Sequence, residues 1–76
     1  MRVGDLARVV PVTSYPGVGM AVKAWDTFPG EYGFHSYTWV GPGVAVLLEN
    51  RDVYWRILVS NGGVVWVEHF RVKGVE

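Results

Sequence analysis

The sequence predicts a small all-β barrel of five or six short antiparallel strands. The first observation is the stretch Val53 to Phe70, where two runs rich in Val, Ile, Tyr and Trp flank Asn61-Gly62-Gly63. Such runs joined by an Asn-Gly turn predict a β-hairpin. The second is composition, with ten glycines and sixteen valines in 76 residues. The third is that no stretch has the period of an amphipathic helix.

The size of the chain predicts one domain spanning residues 1–76. At 8.5 kDa the chain lies near the lower limit for a self-sufficient core, since such a chain buries only about 60% of its unfolded surface. There is no cysteine, so neither disulfides nor thiolate metal sites can add stability. The core or an oligomer interface must therefore supply it.

Charge and hydropathy restrict the partners. Seven basic and seven acidic residues give a net charge of zero, and the basic residues are scattered along the chain. Long-range attraction to nucleic acid or an anionic membrane is therefore not expected. The longest apolar run, Val44 to Leu48, is too short to span a bilayer, and Asp5 precedes any long apolar run. We expect a soluble cytoplasmic protein with no membrane partner.

The register of the central hairpin is predicted from charge. If Asn61, Gly62 and Gly63 form a three-residue loop with a glycine in the left-handed region, Ser60 faces Val64 and Arg56 faces Glu68. The resulting ion pair would contribute roughly 0.2 to 1 kcal/mol. A two-residue loop would place Arg56 opposite Val67 and lose that pair. The three-residue loop is therefore predicted.

Alternation along the hairpin predicts its two faces. The core face carries Val53, Trp55, Ile57, Val59, Val65 and Val67. The outer face carries Tyr54, Arg56, Leu58, Trp66 and Glu68. Tyr54, Leu58 and Trp66 present more apolar area than is normally left in water, so we expect something to cover them.

The remaining strands precede and follow this hairpin. In chain order they are Leu6 to Val12, Gly19 to Trp25, Gly43 to Asn50 and a short closing segment containing Val72 and Val75. Gly4-Asp5 is a turn signal, and Pro11 restricts the first strand to a sheet edge or a strand end. Thr13 to Gly17 is a cluster of strand breakers and predicts a loop. Asn50-Arg51-Asp52 is expected to turn the third strand into the hairpin.

The segment Asp26 to Pro42 has no sustained period and predicts an excursion or a loose hairpin. Six of the eleven aromatic residues lie in or beside it: Trp25, Phe28, Tyr32, Phe34, Tyr37 and Trp39. Rings on a long loop can form a shallow groove for a peptide or protein, since rigid side chains bind at low entropic cost. These six residues, with Tyr54, Leu58 and Trp66, are the candidate binding residues. Alternatively, the rings close the open end of the barrel or stack on unpaired bases, although base stacking normally needs a basic groove.

Patterns that predict catalysis or metal binding are absent from the sequence. Ser36 has His35 beside it, but neighbouring residues on a strand point to opposite faces. His35 and His69 are far apart, and no carboxylate has a supporting spacing. The Gly-x-Gly pairs lack the third glycine, the lysine and the helix of a phosphate-binding loop. We expect a non-enzyme with no cofactor and no metal.

A family resemblance follows from the order of these segments. Val3-Gly4-Asp5 opens the first strand, a variable loop follows, and Gly41-Pro42-Gly43-Val44-Ala45-Val46 leads to a hairpin with Trp on both arms and a short closing segment. This order resembles small SH3-like barrel proteins, in particular those of similar length encoded by tailed bacteriophages, especially marine ones. The resemblance covers roughly residues 3 to 10 and 41 to 75.

The resemblance implies further structural features. A three-strand meander should be followed by a single 3-10 turn at Glu68-His69-Phe70, with Phe70 as an apolar plug. Val72 to Val75 should then pair with Leu6 to Val10.

For function, the resemblance and the apolar excess imply a non-catalytic interaction or assembly module. Exposed Tyr54, Leu58 and Trp66 would pack on copies of the chain or on a larger protein. The protein would be a phage structural or accessory protein, located in the host cytoplasm or in the virion. The alternative is a nucleic-acid-binding SH3-like barrel.

Overall fold

A computed structural model describes residues 1–11, 14–15, 19–30 and 35–75, and over these ranges the chain is all-β. The strands are β1 (Leu6–Val9), β2 (Ser14–Tyr15), β3 (Gly19–Met20), β4 (Val22–Trp25), β5 (Tyr37–Val40), β6 (Gly43–Arg51), β7 (Tyr54–Leu58), β8 (Val64–Glu68) and β9 (Val72–Gly74). The all-β prediction is confirmed, but the predicted number of five or six strands is too low. No helix in the described ranges is long and apolar enough to cross a membrane.

Seven of the strands form one antiparallel sheet in the order β5-β4-β8-β7-β6-β1-β9. The strands β2 and β3 form a separate two-stranded ribbon. The edge strands β5 and β9 do not pair with each other, so the sheet is open over the described residues. The closed barrel expected from the sequence is not observed there.

One face of the sheet surrounds the core. Ala7 and Val9 on β1 belong to the same buried cluster as Val22 and Ala24 on β4, although three strands separate β1 from β4 in the sheet. A flat sheet could not bring these side chains together, so the sheet must curve. A register shift in β6 between Leu47 and Glu49 provides a bend, because a bulge increases local twist and curvature. The part of β6 that precedes the bulge pairs with β1. Strand β6 pairs with β7 on both sides of the bulge.

The buried residues confirm most of the predicted core face of the central hairpin. Trp55 and Ile57 on β7 and Val65 and Val67 on β8 are all buried on the core side. The remaining members of the cluster come from the neighbouring strands: Ala7, Val9, Val22, Ala24, Ala45, Leu47 and Val72. Alternation therefore assigned these four side chains correctly, and Val59 is partly buried against the cluster. The assignment of Val53 to the core face is wrong, because Val53 lies in the turn before β7 and is 49% exposed.

The predicted register of the hairpin is wrong by two residues. Arg56 faces Trp66 and Leu58 faces Val64, so Glu68 lies opposite Tyr54 instead of Arg56. The three-residue loop is Ser60 to Gly62. A shift of two residues keeps every side chain on its predicted face, so alternation could not detect it.

The geometry of the turn explains this register. Gly62 has a φ of +91°, a conformation that a glycine adopts at little cost. The Asn61 side-chain oxygen accepts a hydrogen bond of 2.8 Å from the Gly63 N–H. The charged residues find other partners, since Arg56 lies 3.4 Å from Glu49 and Arg71 lies 3.8 Å from Glu68. The turn therefore sets the register without an Arg56–Glu68 pair.

The closing segment follows the prediction except that the 3-10 turn begins one residue later and Phe70 does not enter the core. A 3-10 turn spans His69–Arg71, and β9 pairs with β1 through Val9 and Val72. Phe70 is 51% exposed and packs against the His69 ring and the Arg71 guanidinium, so it does not plug the core. Val72, at 3% exposure, fills the core there instead.

Three boundaries also differ from the prediction. The segment Tyr37–Val40 forms a strand that pairs with β4, so this part of the excursion is a hairpin. Strand β6 continues to Arg51, and the turn into β7 is formed by Asp52, with a φ of 58°, and Val53. Strand β1 ends at Val9 and not at the predicted Val12, two residues before Pro11, which has no backbone N–H for a sheet hydrogen bond.

Candidate functional site

A continuous row of side chains crosses five strands on the outer face of the sheet. Each member is paired with the next across neighbouring strands: Glu49, Arg56, Trp66, Trp25 and Tyr37. Residues paired in this way project from the same face of a sheet. The excursion aromatics and the hairpin aromatics, predicted as two separate groups, therefore share one surface. We call it the aromatic surface, formed by Trp25, Phe28, Tyr37, Trp39, Tyr54 and Trp66.

Phe28 covers the hairpin side of the aromatic surface. Its ring is edge-on to Tyr54, with centroids 5.5 Å apart, and to Trp66, with centroids 5.1 Å apart. Trp25 packs in the same way on Tyr54. Trp66 is consequently only 7% exposed, contrary to the expectation of an exposed ring. The cover expected for the outer face of the hairpin is thus supplied in part by the excursion itself.

The other side of the aromatic surface is open to solvent. Tyr37 is 53% exposed and Trp39 is 36% exposed, with their ring centroids 6.0 Å apart. The Lys23 Nζ atom lies 4.3 Å from the Tyr37 ring centroid and 5.7 Å from that of Trp25. The edge hairpin of β4 and β5 therefore presents two aromatic rings and one ammonium group.

Two arginines complete the charge of the aromatic surface. The Arg51 guanidinium lies 4.2 Å from the Phe28 ring centroid, and that of Arg56 lies 5.9 Å from Trp66. Both distances allow a cation–π attraction. Glu49 pairs with Arg56, so the surface has charges of both signs. In the sequence these basic residues are scattered, and only the strand register brings them together on one face.

Leu58 lies in a different region of the outer face. It belongs to a second cross-strand row, which we call the aliphatic row: Leu6, Val46, Leu58 and Val64. Leu6 and Val64 are exposed, as is Val44 beside them. The grouping of Leu58 with Tyr54 and Trp66 is therefore replaced by two neighbouring regions, one aromatic and one aliphatic.

The histidines make local contacts instead of forming a reactive pair. The His35 Nδ1 atom lies 3.0 Å from the Thr27 hydroxyl, and the His69 Nδ1 atom lies 3.3 Å from the Val53 carbonyl oxygen. Among the described residues, no group of three or more His, Cys, Asp or Glu side chains could hold a metal ion.

Two of the candidate residues, Tyr32 and Phe34, lie outside the described residues. The other seven are all on the outer face, six around the aromatic rings and Leu58 in the aliphatic row. Fold and surface together define the class of protein: an all-β chain with an aromatic outer face. A comparison with protein families, with curated proteins and with solved structures found no match.

Proposed function

We propose that this chain is a non-catalytic protein interaction or assembly module that binds a partner protein through its aromatic surface. The observation that carries the proposal is the exposed pair Tyr37 and Trp39, held on β5 beside packed aromatic rings. Aromatic residues dominate the binding energy of protein interfaces because they bury large areas with few rotatable bonds.

The packing behind the exposed pair supports this function. Trp25 pairs with Tyr37 across the hairpin, and Trp25 is itself paired with Trp66 on β8. Rings fixed in this way lose little conformational entropy when they bind. Lys23 and Glu49 place both signs of charge on the same face, which suits a protein partner better than a uniformly charged polymer.

We further propose that the fold is of the SH3-like type. The succession of β6, β7 and β8, then a 3-10 turn, then β9 beside β1 supports this proposal. The bacteriophage origin, and with it a location in the host cytoplasm or the virion, stays a prediction. The neighbouring genes would test it.

The experiment compares two variants of the chain in cells of its source. Tyr37→Thr/Trp39→Thr removes both exposed rings and keeps residues that favour strands. The matched control is Phe70→Thr, which removes a ring of similar exposure outside the aromatic surface. A photoreactive phenylalanine placed at position 37 should crosslink to one partner protein. The same protein should co-purify with Phe70→Thr but not with Tyr37→Thr/Trp39→Thr. Recovery of the same amount of partner protein with both variants, when the two variants have equal melting temperatures, would refute the proposal.

A second function is favoured by one observation. Lys23, Arg51 and Arg56 all lie over aromatic rings, and base-stacking surfaces for single-stranded nucleic acid combine rings with cations. Binding of this kind weakens steeply with salt. Fluorescence anisotropy of a labelled single-stranded oligonucleotide at low and high salt tests it. No binding at low salt would exclude this function.

A further inference from the structure

Strand β5 is an edge of the sheet, and no described strand pairs with it on the side away from β4. The Asp26 N–H donates a hydrogen bond of 3.0 Å to the Ser36 carbonyl oxygen, which fixes the alternation of the β4–β5 ladder. Hydrogen-bonded and non-hydrogen-bonded pairs alternate in an antiparallel ladder, so the next pair, Trp25 with Tyr37, is not hydrogen-bonded. The N–H and C=O of Tyr37 therefore point away from β4, across the edge of the sheet.

The opposite edge of the sheet, β9, is less suited to pair with a further strand. It has only three residues, one of which is the charged Lys73, and its Val72 N–H already donates to the His69 carbonyl oxygen. Charged side chains and very short strands keep sheet edges from pairing. Strand β5, Tyr37–Val40, contains neither a charge nor a proline, and all of its residues favour strands. An added strand is therefore expected at β5.

A cavity of about 590 Å³ lies on the core side of β5. Thr38 pairs with Ala24, so both side chains are on the core face, yet Ala24 is fully buried and Thr38 is exposed. The core is thus uncovered at β5. Val9 and Val65, both buried, form part of the apolar floor of the cavity. Its volume is in the range of binding pockets, about 300 to 1,000 Å³, so it can accept an apolar side chain.

We propose that an extended segment of the partner protein pairs with β5 as an added antiparallel strand and inserts apolar side chains into this cavity. Each residue of an extended backbone offers the N–H and C=O that match those of Tyr37. Successive side chains of a strand point to opposite faces. One set therefore contacts the exposed rings of Tyr37 and Trp39, while the alternate set enters the cavity. The face of a folded partner sheet could not reach both sides of β5.

Two synthetic peptides test strand pairing in the purified protein. Both alternate threonine and valine over about eight residues, and they carry N-methyl groups on either the valines or the threonines. Methylation of the valines leaves the threonine N–H groups to pair with Tyr37 and directs the valines into the cavity, whereas methylation of the threonines removes those donors. The amide NMR signals of Thr38, Val40 and Val65 should shift saturably with the valine-methylated peptide alone, at millimolar concentration. No shift with either peptide, or equal shifts with both, would overturn the inference.

Two variants at position 37 separate the backbone contact from the ring contact. Tyr37→Pro removes the ring and the N–H that points across the edge, whereas Tyr37→Thr removes the ring and keeps the N–H. Proline is tolerated on an edge strand where its nitrogen faces away from the sheet, so the two variants should have similar melting temperatures. Tyr37→Pro should bind the valine-methylated peptide at least about tenfold more weakly than Tyr37→Thr, since a hydrogen bond is lost. Equal affinities of two folded variants would overturn the inference.

Hydrogen exchange of the wild-type chain gives a measurement that does not depend on a variant. The Tyr37 N–H should exchange rapidly in the protein alone and slowly with the valine-methylated peptide. The Thr38 N–H, which lies in a hydrogen-bonded pair with Ala24, should exchange slowly in both cases. Unchanged exchange at Tyr37 under saturating peptide would overturn the inference. Protection of Tyr37 on raising the protein concentration without peptide would place a second copy at this edge and would also overturn it.

A change in the peptide tests the cavity. N-methylalanine in place of N-methylvaline should weaken binding roughly tenfold, because each inserted side chain loses two buried methyl groups. Unchanged affinity would show that the cavity is not used and would refute that part of the inference.

This inference rests on the proposed function and specifies how the partner binds, but the two can fail separately. Co-purification of a partner that depends on Tyr37 and Trp39, without peptide binding at β5, would retain the proposed function and refute the added strand. Peptide binding at β5, with equal partner recovery from Tyr37→Thr/Trp39→Thr and Phe70→Thr, would refute the proposed function and retain strand addition.

Discussion

Trp25 lies directly opposite Trp66, in the one register pair that joins β4 to β8. This pair attaches the β4–β5 hairpin to the rest of the sheet and brings the excursion aromatics beside the central hairpin. Trp66 is buried there, whereas Tyr37, at the β5 end of the same row, is exposed. Stability and binding are therefore expected to depend on different residues of one surface.

Replacing the buried ring should strongly destabilise the protein. Trp66→Ala should lower the free energy of unfolding by about 3 to 5 kcal/mol, since it leaves a cavity under Phe28. Trp39→Thr, at an exposed position, should change it by less than about 1 kcal/mol. Urea denaturation followed by circular dichroism measures both values. Similar losses for the two variants would contradict the burial of Trp66 beneath Phe28.

Phe28 should contribute stability through its ring and not only through its volume. Phe28→Leu keeps an apolar side chain but loses two edge-on contacts, with Tyr54 and Trp66. Each aromatic pair contributes about 0.5 to 1.5 kcal/mol beyond burial, so we expect a loss of about 1 to 3 kcal/mol. The near-ultraviolet circular dichroism of the tryptophans should also decrease. An unchanged unfolding midpoint in urea would show that Phe28 does not cover the hairpin.

Two glycines give a matched test of the hairpin turn. Gly62 has a φ of +91° and Gly41 does not have a positive φ, yet an added Cβ atom would meet nothing within 4 Å at either position. Gly62→Ala should therefore destabilise by about 1 kcal/mol through backbone strain alone. Gly41→Ala should be neutral or slightly stabilising, because it restricts the unfolded chain. Thermal denaturation compares the two, and equal melting temperatures would argue against a loop of Ser60 to Gly62.

A double-mutant cycle distinguishes the observed register from the predicted one. Arg56→Met and Glu49→Gln should show a coupling energy of about 0.2 to 1 kcal/mol, as expected for a largely exposed ion pair. Arg56→Met and Glu68→Gln should show almost none. The coupling is measured from the unfolding free energies of the single and double variants at low salt. A larger coupling to Glu68 than to Glu49 would restore the register predicted from the sequence.

Much of the fold was predictable from local pattern. Alternation in the two arms of the hairpin identified Trp55, Ile57, Val65 and Val67 as inward residues, and all four are buried. Only the packing of Phe28 could show that Trp66 is covered, since alternation places Trp66 on the outer face and does not say what lies above it. The aromatic residues of the candidate site were all visible in the sequence, but their arrangement was not.

The sequence by itself determined the all-β class, the glycine turn of the hairpin and most of its inward-facing side chains, because these depend on neighbouring residues and on a period of two. The tertiary structure alone decided the register of β7 against β8, the open sheet and the rows formed by Trp25 with Trp66 and by Leu6 with Val46. A shift of two residues leaves the alternation unchanged. Pairing between distant segments depends on the packing of the whole chain, which no local pattern records.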